Sequence, residues 1–108
     1  MKPTYSTDPA RRATQQRRAW TDDETAQLCG LYLAMLQAQQ AQERFVKAPA
    51  VRALAEDLDR SRGSVEAKLM NVSGVLADAG LPWVKGYKPL RGYGKSMVAV
   101  VLECVGGL

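Results

Sequence analysis

Apolar positions fall at helical spacing in four stretches of this chain, and polar or turn-forming residues separate the stretches. Leu28, Leu31, Tyr32, Met35 and Leu36 form the first stripe, widened by Cys29 and Leu33. Its start is written in WTDDE at 20–24, where Thr21 is placed as an N-cap and Glu24 closes a capping box. Three acids then occupy the first turn, where the helix dipole favours negative charge. The run QAQQAQ at 37–42 extends this helix without an apolar face, so its end is expected to be exposed. Val51, Leu54 and Leu58 share one face of a second helix, which starts near Ala48 with Pro49 in its first turn. Val65, Leu69, Val72 and Leu76 define a third, from Arg62 to about Ala79, where Gly80 can take the left-handed conformation of a helix end. Gly74 inside it predicts a bend or a close helix contact. The last stretch, 95–105, is so rich in valine that helix and strand are hard to separate. Val98, Val101, Leu102 and Val105 fit a helical face, and a lone strand would have no partner, so helix is expected.

Between the second and third helices lies a tight polar turn, Asp59 and Arg60, followed by Ser61 as a cap. Two short amphipathic helices joined in this way make a helix-turn-helix, in which the second helix can enter a major groove while the first crosses the phosphate backbone. A plain helical hairpin inside a bundle has the same pattern. The expected fold is all-α: a small helical bundle with a central helix-turn-helix and a long basic-aromatic loop before the last helix. Trp20, Leu28, Leu54, Leu58, Val65, Leu69 and Leu76 are expected to meet in one core.

The chain has 108 residues, enough for one domain. Residues 20–108 are assigned to that helical domain. Residues 1–19 lack periodicity, contain two Arg-Arg pairs and are expected to form a disordered basic arm. No apolar run is long enough to span a bilayer, and Lys2 is followed by polar residues rather than by the apolar stretch of a secretion signal. Cys29 and Cys104 sit in apolar patterns without CxxC spacing, which points to buried free thiols in a cytoplasmic protein. There is no histidine, which removes Ser-His-Asp and Cys-His catalysis and the commonest metal ligand together. Helix capping and exposed polar faces account for the carboxylates. No enzymatic activity, metal or cofactor is expected.

The net charge of +4 is unevenly placed. Residues 1–19 hold five cations against Asp8, residues 20–59 hold three cations against seven acids, and residues 60–108 hold seven cations against three acids. The body is therefore dipolar, and its positive half begins at the second helix of the helix-turn-helix. A basic arm plus a basic half is an electrostatic footprint for nucleic acid; a solvated surface that aids solubility is the plainer reading. From the arm, Arg11, Arg12, Arg17 and Arg18 are candidates to lie along a groove or across phosphates. The loop at 80–94 interleaves Trp83, Tyr87 and Tyr93 with Lys85, Lys88 and Arg91, a composition in which rings stack or anchor while cations meet phosphates. For Trp83 the expected role is to pin the loop to the core.

On the third helix, the face opposite the apolar stripe carries Gly63, Ala67, Met70 and Gly74, flanked by Ser64 and Asn71. Small residues permit close approach to a duplex, and Asn71 can read an adenine. Arg60 opens the basic half, and Arg62 and Lys68 stand at the edges of the stripe, placed for phosphates rather than bases. The same weakly apolar stripe suits packing against another protein or a second copy of this chain.

WTDDE at 20–24 resembles the opening of Myb-like and SANT-like trihelical domains. RSRGSVEAKLMN at 60–71, followed by VSGVL at 72–76 and GLPWVKGYKP at 80–89, resembles a helical module that precedes nuclease domains in bacterial restriction-type proteins such as HNH and McrA-like enzymes. The likeness covers roughly residues 20–102. It implies a DNA-recognition or defence setting, with Arg62, Ser64, Lys68 and Asn71 at matching positions. This chain has no HNH-type segment and no histidine to build one, and Gly74 stands where the pattern has alanine. Double-stranded DNA is thus the expected partner. The alternative is a protein-interaction module, such as a phage-encoded inhibitor of a host defence complex, acting alone or as a homodimer.

Overall fold

The computed structural model describes residues 18–106. Among them are four helices and no strand: α1 (Asp22–Gln40), α2 (Lys47–Leu58), α3 (Arg62–Asp78) and α4 (Lys95–Val105). No helix among the described residues is long and apolar enough to cross a membrane.

Local chemistry sets most of the ends. Thr21 Oγ1 accepts a hydrogen bond from the Glu24 backbone N–H at 3.1 Å, and Glu24 Oε1 accepts one from the Thr21 N–H at 3.1 Å, which completes the capping box of α1. α2 ends where Asp59 takes the left-handed conformation (φ 53°, ψ 51°), and the Arg60 N–H reaches back to the Ala55 carbonyl at 2.9 Å. Ser61 then caps α3 by accepting from the Ser64 N–H at 3.0 Å. α3 stops at Gly80, whose φ of 73° lets the Leu81 N–H return to the Leu76 carbonyl at 2.8 Å. The two-helix unit with its three-residue turn is therefore formed as the spacing predicts.

α1 and α3 form the centre, each packed against all three other helices, with α2 and α4 flanking them. Leu28, Cys29, Tyr32, Met35 and Leu36 of α1 meet Val65, Leu69, Val72, Val75 and Leu76 of α3. On α2 the buried residues are Val51, Ala55 and Leu58, with Leu54 only half-buried. α4 is helical, and of the four positions expected on its inward face Val101 and Val105 are buried and Val98 is half-buried against the core. Met97, Val101 and Val105, at i, i+4 and i+8, are buried, whereas Leu102 is 38% exposed. Alternating valines let either stripe qualify on sequence; the surface of α1 selects Met97.

The chain between α3 and α4 has no regular structure, yet it is fastened at several points. Val84 and Tyr87 are buried in the core, whereas Trp83, the ring expected to anchor the loop, is 41% exposed. Side chains far away in sequence hold the backbone instead. Tyr32 Oη accepts from the Val84 N–H at 2.8 Å and shares a buried hydrogen bond of 2.7 Å with Ser73 Oγ. Burial pushes the Tyr32 hydroxyl above its ordinary pKa, so it stays protonated as the bridge needs. Gln39, within the run expected to be exposed, donates to the Trp83 carbonyl at 3.0 Å and accepts from the Lys85 N–H at 2.7 Å. Lys47 Nζ donates to the Lys85 carbonyl at 2.7 Å and lies 5.0 Å from the centre of the Tyr87 ring.

Candidate nucleic-acid interface

The outward side of α3 is open over its first turns only. There Ser61, Gly63, Ser64, Ala67, Lys68 and Asn71, with Trp20 from the segment ahead of α1, line a shallow groove of about 490 Å³. Three of the expected contact residues, Ser64, Lys68 and Asn71, are thus brought together. The small side chains at Gly63 and Ala67 leave the helix backbone approachable. Lys68 is half-buried, with its ammonium 5.6 Å from the centre of the Trp20 ring. Desolvation, and then the positive charge of Arg60, lower its pKa from the ordinary 10.5. Arg62 stands exposed at the rim, in a loose i,i+4 pair with Glu66 at 3.5 Å. An exposed pair of this kind contributes little and yields readily to a phosphate.

The stripe does not continue to Gly74. The loop crosses α3 at Leu90, whose N–H donates to the Met70 carbonyl at 3.0 Å. Asn71 Nδ2 donates to the Leu90 carbonyl at 2.9 Å, so the amide expected to read an adenine is committed to holding the loop. Gly74 is buried beneath Leu90, and a Cβ there would collide with the Leu90 carbonyl. The close contact expected at Gly74 exists, but with the loop rather than with another helix, and Met70 is half-buried against the core. The face expected to be outward is therefore shortened to its N-terminal half.

Arg60 requires the largest correction. Expected at the surface as a phosphate contact, it is 1% exposed. Its Nε and Nη2 donate to the two oxygens of Glu24 at 3.1 and 2.9 Å, in a bidentate pair. Nη1 donates to the Arg18 carbonyl and Nη2 to the Ala19 carbonyl, both at 2.8 Å. The guanidinium carbon sits 4.3 Å from the centre of the Trp20 ring. With four hydrogen bonds made inside the protein and 1% of it exposed, Arg60 has no surface to offer a duplex. The hydrogen bond from Arg60 is the main reason that the Glu24 carboxyl lies below its ordinary pKa, against the opposing effect of burial. No local signal relates residues 24 and 60; the capping box accounted for Glu24 and the turn for Arg60, and each explanation was true but incomplete.

Arg18 was assigned to the arm, yet it is seated on the turn between α2 and α3. Its Nη2 donates to the carbonyls of Leu58 and Asp59 at 2.6 and 3.1 Å and lies 3.6 Å from Glu24. The body therefore includes residue 18, which lies beside the turn between α2 and α3. The expected contacts Arg11, Arg12 and Arg17 lie outside the described residues. On the loop, Lys85 and Lys88 are exposed. Arg91 is not free: its Nε and Nη2 donate to Asp78 Oδ1 at 3.1 and 3.0 Å, while the Tyr93 hydroxyl donates to Asp78 Oδ2.

Comparison of the chain with protein-family models, with curated proteins and with solved structures finds no match in any of the three.

Proposed function

We propose that the protein is a small DNA-binding protein of helix-turn-helix type, with the open N-terminal half of α3 presented to the major groove. The observation that carries this reading is the groove along α3, where Ser64 and Lys68 surround a small-residue floor directly after the helix-turn-helix turn. Lys68 and Arg62 meet phosphates, as do Lys85 and Lys88 on the loop. The backbone and small side chains at Gly63 and Ala67 approach the bases. With Asn71 held by Leu90 and few other donors on α3, affinity rests on phosphate neutralisation more than on base edges. The resemblance to restriction-type recognition modules would place such a protein in phage or host-defence biology.

The test is a titration of a random duplex at several salt concentrations. Arg62→Ala and Lys68→Ala should each weaken binding across sequences and lower the salt slope by about one unit. Ala67→Glu, on the open part of α3, should abolish binding by setting a carboxylate against phosphates. Absence of duplex binding by the wild type at low salt would refute the reading.

A second reading, a protein-interaction module or homodimer, is favoured by a different surface. Leu36, Leu76, Leu81, Pro82, Leu102 and Val105 line an apolar groove of about 390 Å³. Under that reading Leu102→Glu, not Ala67→Glu, should disrupt complexes seen by sedimentation.

A further inference from the structure

Lys68 has surroundings unlike those of the other described lysines. Its side chain is half-buried and lines the groove of about 490 Å³ on α3, with its ammonium 5.6 Å from the centre of the Trp20 ring. Arg60 uses the same ring, at 4.3 Å. Two cations therefore share one ring, and the carboxylate beside them is already taken. Glu24 binds Arg60 through both oxygens and lies 3.6 Å from Arg18. Among the described residues no acid pairs with Lys68. At 5.6 Å the ring offsets little of this lost counter-charge. A half-buried amine next to a fixed cation favours its neutral, nucleophilic form. By contrast, Lys85, Lys88 and Lys95 are exposed, and Lys47 donates to the Lys85 carbonyl. We propose that Lys68 is a modification site: its amine takes the acyl group of a small acyl phosphate that enters the groove, and the acylated form is a switch on the surface assigned above to DNA.

Ser61, Ser64 and Lys68 stand at i, i+3 and i+7, so all three face the same groove, and Gly63 and Ala67 leave room there for a small reagent. The neutral Lys68 amine attacks the carbonyl carbon of the acyl phosphate. The bond from that carbon to the phosphate oxygen breaks, phosphate leaves with the electron pair, and the amine proton passes to water. The products are an amide at Lys68 and free phosphate, and the Ser64 hydroxyl is placed to donate to the departing anion. Desolvation and then the Arg60 charge lower the Lys68 pKa from the ordinary 10.5, against a smaller opposing effect of Cys29 on α1. At a given pH a larger fraction of Lys68 than of an exposed lysine is therefore free amine. Acylation removes one positive charge from the groove and fills part of it. That consequence for DNA, unlike the reactivity itself, rests on the function proposed above.

The test incubates native wild-type protein with acetyl phosphate over a series of pH values from neutral to alkaline and follows each lysine by peptide mass. Lys68 should be acetylated ahead of Lys85, Lys88 and Lys95, and its rate should reach half-maximum at a lower pH than theirs. In denaturant that lead should vanish. Acetylation of Lys68 no faster than of the exposed lysines, with the same pH profile, would overturn the proposal, and so would a lead that survives unfolding. The acetylated protein, and Lys68→Gln as its neutral counterpart, should each show a duplex salt slope about one unit below that of the unmodified wild type. A wild type that binds duplex and keeps its slope after acetylation overturns the switch. No duplex binding by the unmodified protein refutes the DNA reading instead, and the order in which the lysines react still decides whether Lys68 is the acylated residue. If Lys68→Gln fails to fold, the acetylated wild type alone gives the slope.

Discussion

Two carboxylate–guanidinium pairs in this molecule have nearly the same N···O distance and opposite surroundings. Glu24 and Arg60 meet at 2.9 Å with side chains 16% and 1% exposed; Asp78 and Arg91 meet at 3.0 Å with side chains 40% and 64% exposed. Each carboxyl is held below its ordinary pKa, Glu24 chiefly by Arg60 and Asp78 chiefly by the Tyr93 hydroxyl and then Arg91. The direction of the shift therefore does not tell the pairs apart. What differs is what depends on them. Arg60 joins the start of α1, the turn before α3 and the two residues ahead of Trp20, and it has no water to fall back on. Arg91 fastens a loop that Tyr32, Gln39, Lys47 and Asn71 already hold, and water can replace its partner. A charge in a basic half of a sequence is thus no measure of its availability to a ligand.

The comparison is broken most severely at Arg60. Arg60→Ala leaves Glu24 without its bidentate partner and strips the Arg18 and Ala19 carbonyls of donors. It should cost about 3–5 kcal/mol, the magnitude for breaking a buried ion pair from one side. Chemical denaturation measures this directly, and a cost within error of zero would mean that Arg60 is not the hub described. Arg60→Lys should recover only part of the loss, because an ammonium cannot reproduce the fork.

A smaller effect lies in the pH dependence. Glu24 has a folded-state pKa below its ordinary 4.5, so the stability that it adds is fully present above about 4.5 and is lost as pH falls through the folded value. Glu24→Gln should flatten the acid limb of stability against pH in that window while leaving the neutral-to-alkaline side parallel to the wild type. An unchanged acid limb would detach Glu24 from the hub.

The smallest effect is expected at the exposed pair. Arg91→Ala should leave the thermal midpoint close to that of the wild type, since a solvated pair adds little to folding. A large drop would place Arg91, too, among the structural arginines and erase the contrast.

What the sequence by itself determined is what short-range interactions decide. The Thr21–Glu24 box, the Asp59–Ser61 turn and the Gly80 stop are hydrogen bonds between residues a few positions apart, and the stripes of α1, α2 and α3 follow from one period. Four helices, their approximate ends and the tight turn that joins α2 to α3 were therefore legible. The α4 face was less so, since a run of valines offers several equivalent stripes and only packing on α1 chooses among them. The tertiary structure alone decided which polar residues remain for a ligand. Arg60, Asn71, Gln39 and Lys47 carry side chains that the sequence reads as surface, and each is committed across 19 to 46 positions to a backbone or carboxylate partner. No periodicity encodes such pairings, because they arise only when the packed helices bring donors and acceptors that are distant in sequence within hydrogen-bonding distance. Even in the groove on α3 the fold has engaged Ser61, Asn71 and Trp20 for itself, which leaves Ser64, Ala67 and the Lys68 ammonium to face a ligand.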